Sequence, residues 1–122
     1  MKILLAVSGG IDSMYMLHMA PELFPGGAFA VAHCNFGLRG EESDADEEFV
    51  RESSEKLGYG FFSKRFDTVG FSQDKGISLE MAARELRYSW FAELCADKGF
   101  DVVAVAHNAN DNAETLLLNM LR

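Results

Sequence analysis

Four short apolar runs, Lys2–Val7, Ala28–His33, Gly60–Phe66 and Phe100–Ala106, alternate with longer segments, and this alternation limits the fold more than any other feature. Runs of this length bounded by turn residues read as buried strands, and segments with apolar residues every three or four positions read as helices. The helical segments are Asp12–Phe24, Glu42–Leu57, Ser78–Lys98 and Asp111–Leu121. The second predicts a buried stripe of Phe49, Val50, Ser53 and Leu57, and the third a stripe of Leu79, Ala82, Ala83, Leu86, Trp90 and Leu94. Ser78 is placed to cap the third helix, and Gly58 and Gly99 stop the second and third. Pro25-Gly26-Gly27, Cys34–Gly40, the polar Asp67–Gly76 and His107–Asn110 read as connections. Strand and helix repeating through short links require right-handed crossovers, hence an α/β, Rossmann-like parallel sheet with helices on both faces. Such sheets bind ligands at the carboxyl ends of their strands, where strand order reverses. Val7, His33, Phe66 and Ala106 are those ends, and the polar segments Ser8–Ser13, His33–Arg39 and His107–Glu114 are expected to meet on one edge.

The first strand ends in Ser8-Gly9-Gly10-Ile11-Asp12-Ser13, and a helical pattern begins at once. Two glycines remove the Cβ atoms that keep an anion off the backbone, so successive N–H groups can converge on it. The helix start adds unpaired N–H donors and the positive end of its dipole. Ser8 and Ser13 offer hydroxyls, and Asp12 can hold a Mg²⁺ that shields phosphate charge. The segment predicts a pyrophosphate cradle; the plainer alternative is a turn and an N-cap. Neither Gly-x-x-x-x-Gly-Lys-Ser/Thr nor Gly-x-Gly-x-x-Gly follows the first strand. The pattern resembles instead the PP-loop of the N-type ATP pyrophosphatases, which cut ATP between its α and β phosphates.

Bulk properties narrow the field. A chain of 122 residues is one domain able to bury about two-thirds of its unfolded surface. No apolar run approaches the roughly 20 residues of a membrane span, and Met1-Lys2 leads directly into a strand, which leaves no room for a signal peptide. Cys34 and Cys95 form no Cys-x-x-Cys, as expected of reduced core thiols in a cytoplasmic protein. A net charge of −8 argues against a general nucleic-acid surface. Glu41, Glu42, Asp44, Asp46, Glu47 and Glu48 read as a solvated run favouring a helix start. His33 and His107 have no third ligand at a zinc-like spacing. Leu116–Arg122 reads as a helix in full course, so the chain is expected to be a fragment of a longer polypeptide.

Four blocks in order carry a wider resemblance: Ser8–Ser13; His33-Cys34-Asn35-Phe36-Gly37-Leu38-Arg39-Gly40 with Glu42-Ser43 and Asp46; Ser78-Leu79-Glu80 with Ala83-Arg84 and Leu86-Arg87-Tyr88; and Ala106–Thr115. Together they resemble the N-terminal domain of the tRNA(Ile)-lysidine synthases, over nearly all of residues 1–122. The resemblance implies an adenine nucleotide alpha hydrolase-like fold, with ATP and Mg²⁺ as cofactors. It implies that ATP adenylates the C2 oxygen of the wobble cytidine of tRNA(Ile) with a CAU anticodon. The amine of L-lysine then displaces AMP, giving lysidine. A homodimer is compatible with it, and no membrane is involved. Two positions depart from the pattern: Phe36 stands where many members carry histidine, and Asn110 where they carry aspartate. The C-terminal portion that in the family supplies much of the tRNA contact is expected to lie beyond residues 1–122, and an isolated fragment is expected to be catalytically weak.

In that chemistry Ser8, Gly9, Gly10, Ile11, Asp12 and Ser13 would wrap the leaving phosphates. Asp111 and Glu114, three apart at a helix start, share one face; they can share Mg²⁺, orient the incoming ammonium or take its proton, or simply cap the helix. Asp12 and Asp111 are the metal candidates. Arg87 suits charge on the α-phosphate, with a surface ion pair as the alternative, and Arg84 is expected to pair with Glu80. Two other readings stay open: another PP-loop enzyme, such as a tRNA sulfur transferase or an amidotransferase synthetase, or a non-catalytic ATP-binding module. Sulfur transfer and glutamine-fed amidation want activated cysteines; a passive binder has no need of Asp111, Glu114 or Arg87.

Overall fold

A computed structural model describes residues 1–106 and the backbone of 116–119. The elements are β1 (Lys2–Ala6), α1 (Ile11–Leu23), β2 (Ala28–Asn35), α2 (Glu41–Lys56), β3 (Gly60–Arg65), α3 (Thr68–Lys75), α4 (Leu79–Lys98), β4 (Val102–Ala106) and β5 (Leu116–Asn119). The sheet order is β3-β2-β1-β4-β5. β1 runs parallel to β2 from Lys2↔Ala28 to Ala6↔Ala32 and parallel to β4 from Ile3↔Val102 to Ala6↔Val105. β3 joins β2 in parallel.

Alternate side chains of the central strands serve opposite cores, as the two-residue strand period requires. Leu4, Ala30, Ala32, Val103 and Val105 pack under Trp90, Phe91, Leu94 and Cys95 of α4. Ile3, Leu5, Val7, Val31, Val102 and Ala104 pack under Met16, Leu17 and Ala20 of α1 and Val50 of α2. Helices therefore cover both faces, as the sequence predicts. Phe91 is 1% exposed, and burying such a side chain contributes about 1.5–3 kcal/mol.

Four local expectations are corrected. Leu116–Asn119 pairs antiparallel with β4 instead of continuing a helix; a short leucine run satisfies either period, and the open edge of β4 supplies a hydrogen-bonding partner. The connection at 67–76 contains α3, capped where Asp67 Oδ1 accepts from Gly70 N at 3.1 Å. Weak apolar patterning hides this helix, which is tied down by Thr68 Oγ1 donating to Phe36 O at 2.8 Å. On α2, Phe49 and Leu57 are exposed, while Ser43, Val50 and Ser54 are buried. Ser54 satisfies its hydroxyl on Val50 O at 2.7 Å, so small residues bring this helix close to the sheet where hydropathy alone expects larger ones. On α4, Leu79 is exposed; the stripe there shifts toward Phe91 and Cys95.

Candidate functional site

β1 is the point where strand order reverses: β2 and β3 lie to one side and β4 to the other. The loop Ser8–Gly10 leaves β1 there and turns directly into α1. Gly9 has φ +100°, a conformation that L side chains rarely adopt. A Cβ at Gly9 would meet only ordinary contacts, 3.6 Å from Asp46 Cβ and Val50 Cγ2, so the requirement for glycine is one of backbone conformation. Gly10 is the N-cap of α1 and makes no side-chain cap bond, which leaves the first-turn N–H groups facing the loop mouth.

Ser13 holds the loop in shape. It is 6% exposed; its Oγ donates to Gly10 O at 3.1 Å and accepts from Ser8 N at 3.1 Å and Gly9 N at 3.2 Å. Those bonds use its one proton and both lone pairs. Ser8 Oγ lies 3.1 Å from Ser13 Oγ, where either hydroxyl can donate, and accepts from Gly10 N at 3.3 Å. Asp12 is half-buried in the first turn, and Ile11 is 85% exposed at the mouth.

A cavity of about 110 Å³ opens beside this loop at the switch point. Val7, Ser8 and Ser13 line it together with Val105 and Ala106 of the β4 end, and Cys34, Phe36, Arg87 and Phe91 add further wall. Arg87 comes from α4, and its Nε is buried with no hydrogen-bond partner among the described residues. A buried guanidinium donor without a partner is uncommon enough to call for a ligand. The guanidinium carbon of Arg87 lies 5.0 Å from the ring centroid of Tyr88. Arg84 likewise sits over Tyr88, at 5.7 Å, and not beside Glu80 as expected. Burial pushes the Cys34 thiol up to about 12, and the nearby Arg87 charge only partly opposes this.

A second cavity of about 150 Å³ adjoins the first through Ser8, Cys34 and Phe36 and reaches Arg39, Ser43 and Asp46. β2 runs two residues further than the sequence predicts, because Cys34↔Lys64 and Asn35↔Arg65 extend its pairing with β3. That extension buries Asn35 to 1% exposure. Asn35 Nδ2 donates to Asp44 Oδ1 at 3.0 Å and Glu47 Oε1 at 3.3 Å, and its Oδ1 accepts from Gly37 N at 3.0 Å. His33 is buried, with Nδ1 2.8 Å from Val7 O. The acidic run is therefore only partly solvated: Asp44 and Glu47 anchor the β2 end, and Asp46 pairs with Arg39 at 2.5 Å. Sequence reasoning gave Asn35, Arg39 and Asp46 no role; a buried-strand asparagine followed by an acidic helix start was the available signal.

Residues 1–122 match the PP-loop domain family in full. The chain belongs to the PP-loop family. It is 48% identical to a tRNA(Ile)-lysidine synthase of Chlorobaculum tepidum, over 98% of this chain and 37% of that protein. It is 46% identical to one from Bacteroides thetaiotaomicron and 42% to one from Clostridium acetobutylicum, in each case over 99% of this chain. The chain thus spans about a quarter to over a third of the length of these relatives. Among solved structures, a U34-tRNA thiolase from Methanococcus maripaludis superposes with a TM-score of 0.70 over 88% of this chain and 38% of that one, at 20% identity. That likeness concerns the fold alone.

The PP-loop geometry gathers Ser8, Ser13 and Arg87 on one cavity; Gly9 and Gly10 lie in the same loop and Ile11 and Asp12 in the first turn of α1, without lining it. Asp111, Glu114, His107 and Asn110 lie outside the described residues, although Ala106, immediately before them, borders the same cavity. Among the described residues no group of three His, Cys, Asp or Glu is arranged to hold a metal, and no helix is long and apolar enough to cross a membrane.

Proposed function

We propose that this domain is the nucleotide-activating part of a cytoplasmic tRNA(Ile)-lysidine synthase. The observation that carries the reading is the switch-point cavity, where the PP-loop faces a buried guanidinium donor of Arg87 that has no partner among the described residues. Relatives bearing that name at 42–48% identity support it.

The Ser8 hydroxyl and the first-turn N–H groups of α1 hold the β and γ phosphates of ATP, on a loop whose shape the N–H bonds of Gly9 and Gly10 to Ser13 and Ser8 fix. The apolar walls of Phe36, Phe91 and Val105 suit the adenine ring. Arg87 stabilises charge at the α-phosphate as the C2 oxygen of the wobble cytidine attacks and pyrophosphate departs. The amine of L-lysine then attacks C2, and AMP leaves. Asp111 and Glu114 orient that ammonium and take up its proton.

The donor set fits Mg²⁺, which is commonly held by one or two carboxylates together with substrate phosphates. Asp12 would supply one carboxylate at the loop mouth and Asp111 a second. When bound, the ion shields the charge on the departing pyrophosphate.

A reading through sulfur transfer is disfavoured by Cys34. With its thiol pushed up to about 12, it stays protonated at neutral pH and is a poor nucleophile. The net charge of −8 also argues against this domain gripping RNA phosphates by itself.

The test is incubation of the intact protein with ATP, Mg²⁺, labelled lysine and tRNA bearing a CAU anticodon. Label is expected in the RNA, and Asp12→Ala is expected to abolish it together with ATP–pyrophosphate exchange. ATP consumption with no label in RNA would refute the lysine assignment, and wild-type exchange by Asp12→Ala would refute the role of the loop.

A further inference from the structure

We propose that Arg39 and Asp46 are a charge-balancing pair that sets how tightly the PP-loop holds polyphosphate, an inference that rests on the ATP reading above. Asp46 and Val50, one turn apart on α2, are the residues against which Gly9 is laid: a Cβ there would stand 3.6 Å from both. Val50, fully buried in the core, fixes the α2 backbone that carries Asp46 beside the loop. The anion-binding backbone is thus built against a carboxylate, which by itself repels the phosphates that the loop must hold.

Arg39 answers that charge. Its Nη2 lies 2.5 Å from Asp46 Oδ2, and its Nη1 lies 3.8 Å from Glu42 Oε2. Its backbone N–H is fixed by Ser43 Oγ at 3.2 Å, and Ser43 is buried. Ser8, Arg39 and Asp46 border the same cavity. The Arg39 side chain is 61% exposed and that of Asp46 36%, so the pair itself adds little to folding. Its consequence lies in the field at the loop. Without the guanidinium, one uncompensated carboxylate beside the phosphates at a partly solvated rim weakens binding by roughly tenfold.

The test is calorimetric titration of the intact protein with ATP and Mg²⁺, and separately with pyrophosphate. It compares wild type, Arg39→Ala, Asp46→Asn and the double variant. Arg39→Ala is expected to bind both ligands about tenfold more weakly, with an unchanged melting temperature and with the deficit shrinking as salt rises. Asp46→Asn is expected to bind at least as tightly as wild type, and the double variant within about threefold of it. A double variant as weak as Arg39→Ala shows that Arg39 contacts the phosphates directly, and overturns the proposal. Loss of binding in Asp46→Asn, which would mark Asp46 as a metal ligand, overturns it too, as does wild-type affinity in Arg39→Ala. A wild-type protein that binds neither ligand removes the ATP reading and this inference together.

Discussion

Replacing Asn35 with aspartate changes one NH₂ group into an oxygen and leaves the shape untouched. In the wild type the amide Nδ2 donates to Asp44 at 3.0 Å and Glu47 at 3.3 Å, while Oδ1 accepts from Gly37 N. Asn35→Asp keeps the Gly37 bond, because either carboxylate oxygen can accept it. It loses both donations and faces two carboxylates with a third. Hydrogen bonds to charged groups contribute about 1.5–3 kcal/mol each. Asp44 is 54% exposed and also paired with Arg65, so its bond belongs at or below the low end; Glu47 is 23% exposed but paired with Arg51 at 3.3 Å, so its bond belongs near the low end too. With the like-charge repulsion, the expected loss is about 3–4 kcal/mol at pH 7. The introduced carboxyl is better tolerated protonated, which raises its folded-state pKa above the usual value of about 3.9. The deficit is therefore largest above the folded pKa and shrinks as pH falls through it. At pH 5, the cost is expected to drop to about 1–2 kcal/mol. Urea unfolding at both pH values, with Asn35→Ala as a comparison lacking the third charge, reads this directly. A loss under 1 kcal/mol at pH 7, or one that does not change with pH beyond that of Asn35→Ala, refutes the assigned bonds.

Three further outcomes follow from the same geometry. Gly9→Ala meets no close contact but imposes a strained positive φ, so it is expected to cost about 1–2 kcal/mol in urea unfolding and to weaken nucleotide binding. Ser13→Ala frees the N–H groups of Ser8 and Gly9 and is expected to reduce ATP affinity more than thermal stability, measured by titration and by melting. Cys34, with its thiol moved from 9.0 to about 12, should alkylate about a thousandfold more slowly at pH 8 than a free thiol. Because its folded pKa is raised, stability falls as pH rises from 9 toward 12, by at most about 1.4 kcal/mol per pH unit, and Cys34→Ala should flatten that fall.

The parts of this architecture written in local spacing were legible before any coordinates. Ser8–Ser13 declares turn and helix within six residues, and the strand end at Ala106, with that of β1 one residue short of the expected Val7, follows from apolar length. The missed parts depend on which segments the topology brings together. That Asp46 lies against Gly9 is decided by the seating of α2 on the sheet through Val50, Ser43 and Ser54. Arg87 is singled out through the resemblance, and the structure adds that its buried Nε lies beside Cys34 with no partner among the described residues. α3 hides because Thr68 anchors it through a hydroxyl and not through an apolar stripe. Leu116–Leu118 satisfies both helix and strand periods, and the open edge of β4 decides between them.

Amide chemical shifts followed by NMR while pyrophosphate and Mg²⁺ are titrated into the intact, isotope-labelled protein test the central claim most directly. The account predicts the largest shifts at Ser8, Gly9, Gly10, Ile11, Asp12 and Ser13, with smaller ones at Cys34 and Phe36 across the cavity. Saturating shifts confined to another part of the surface, or none at millimolar ligand, would contradict it.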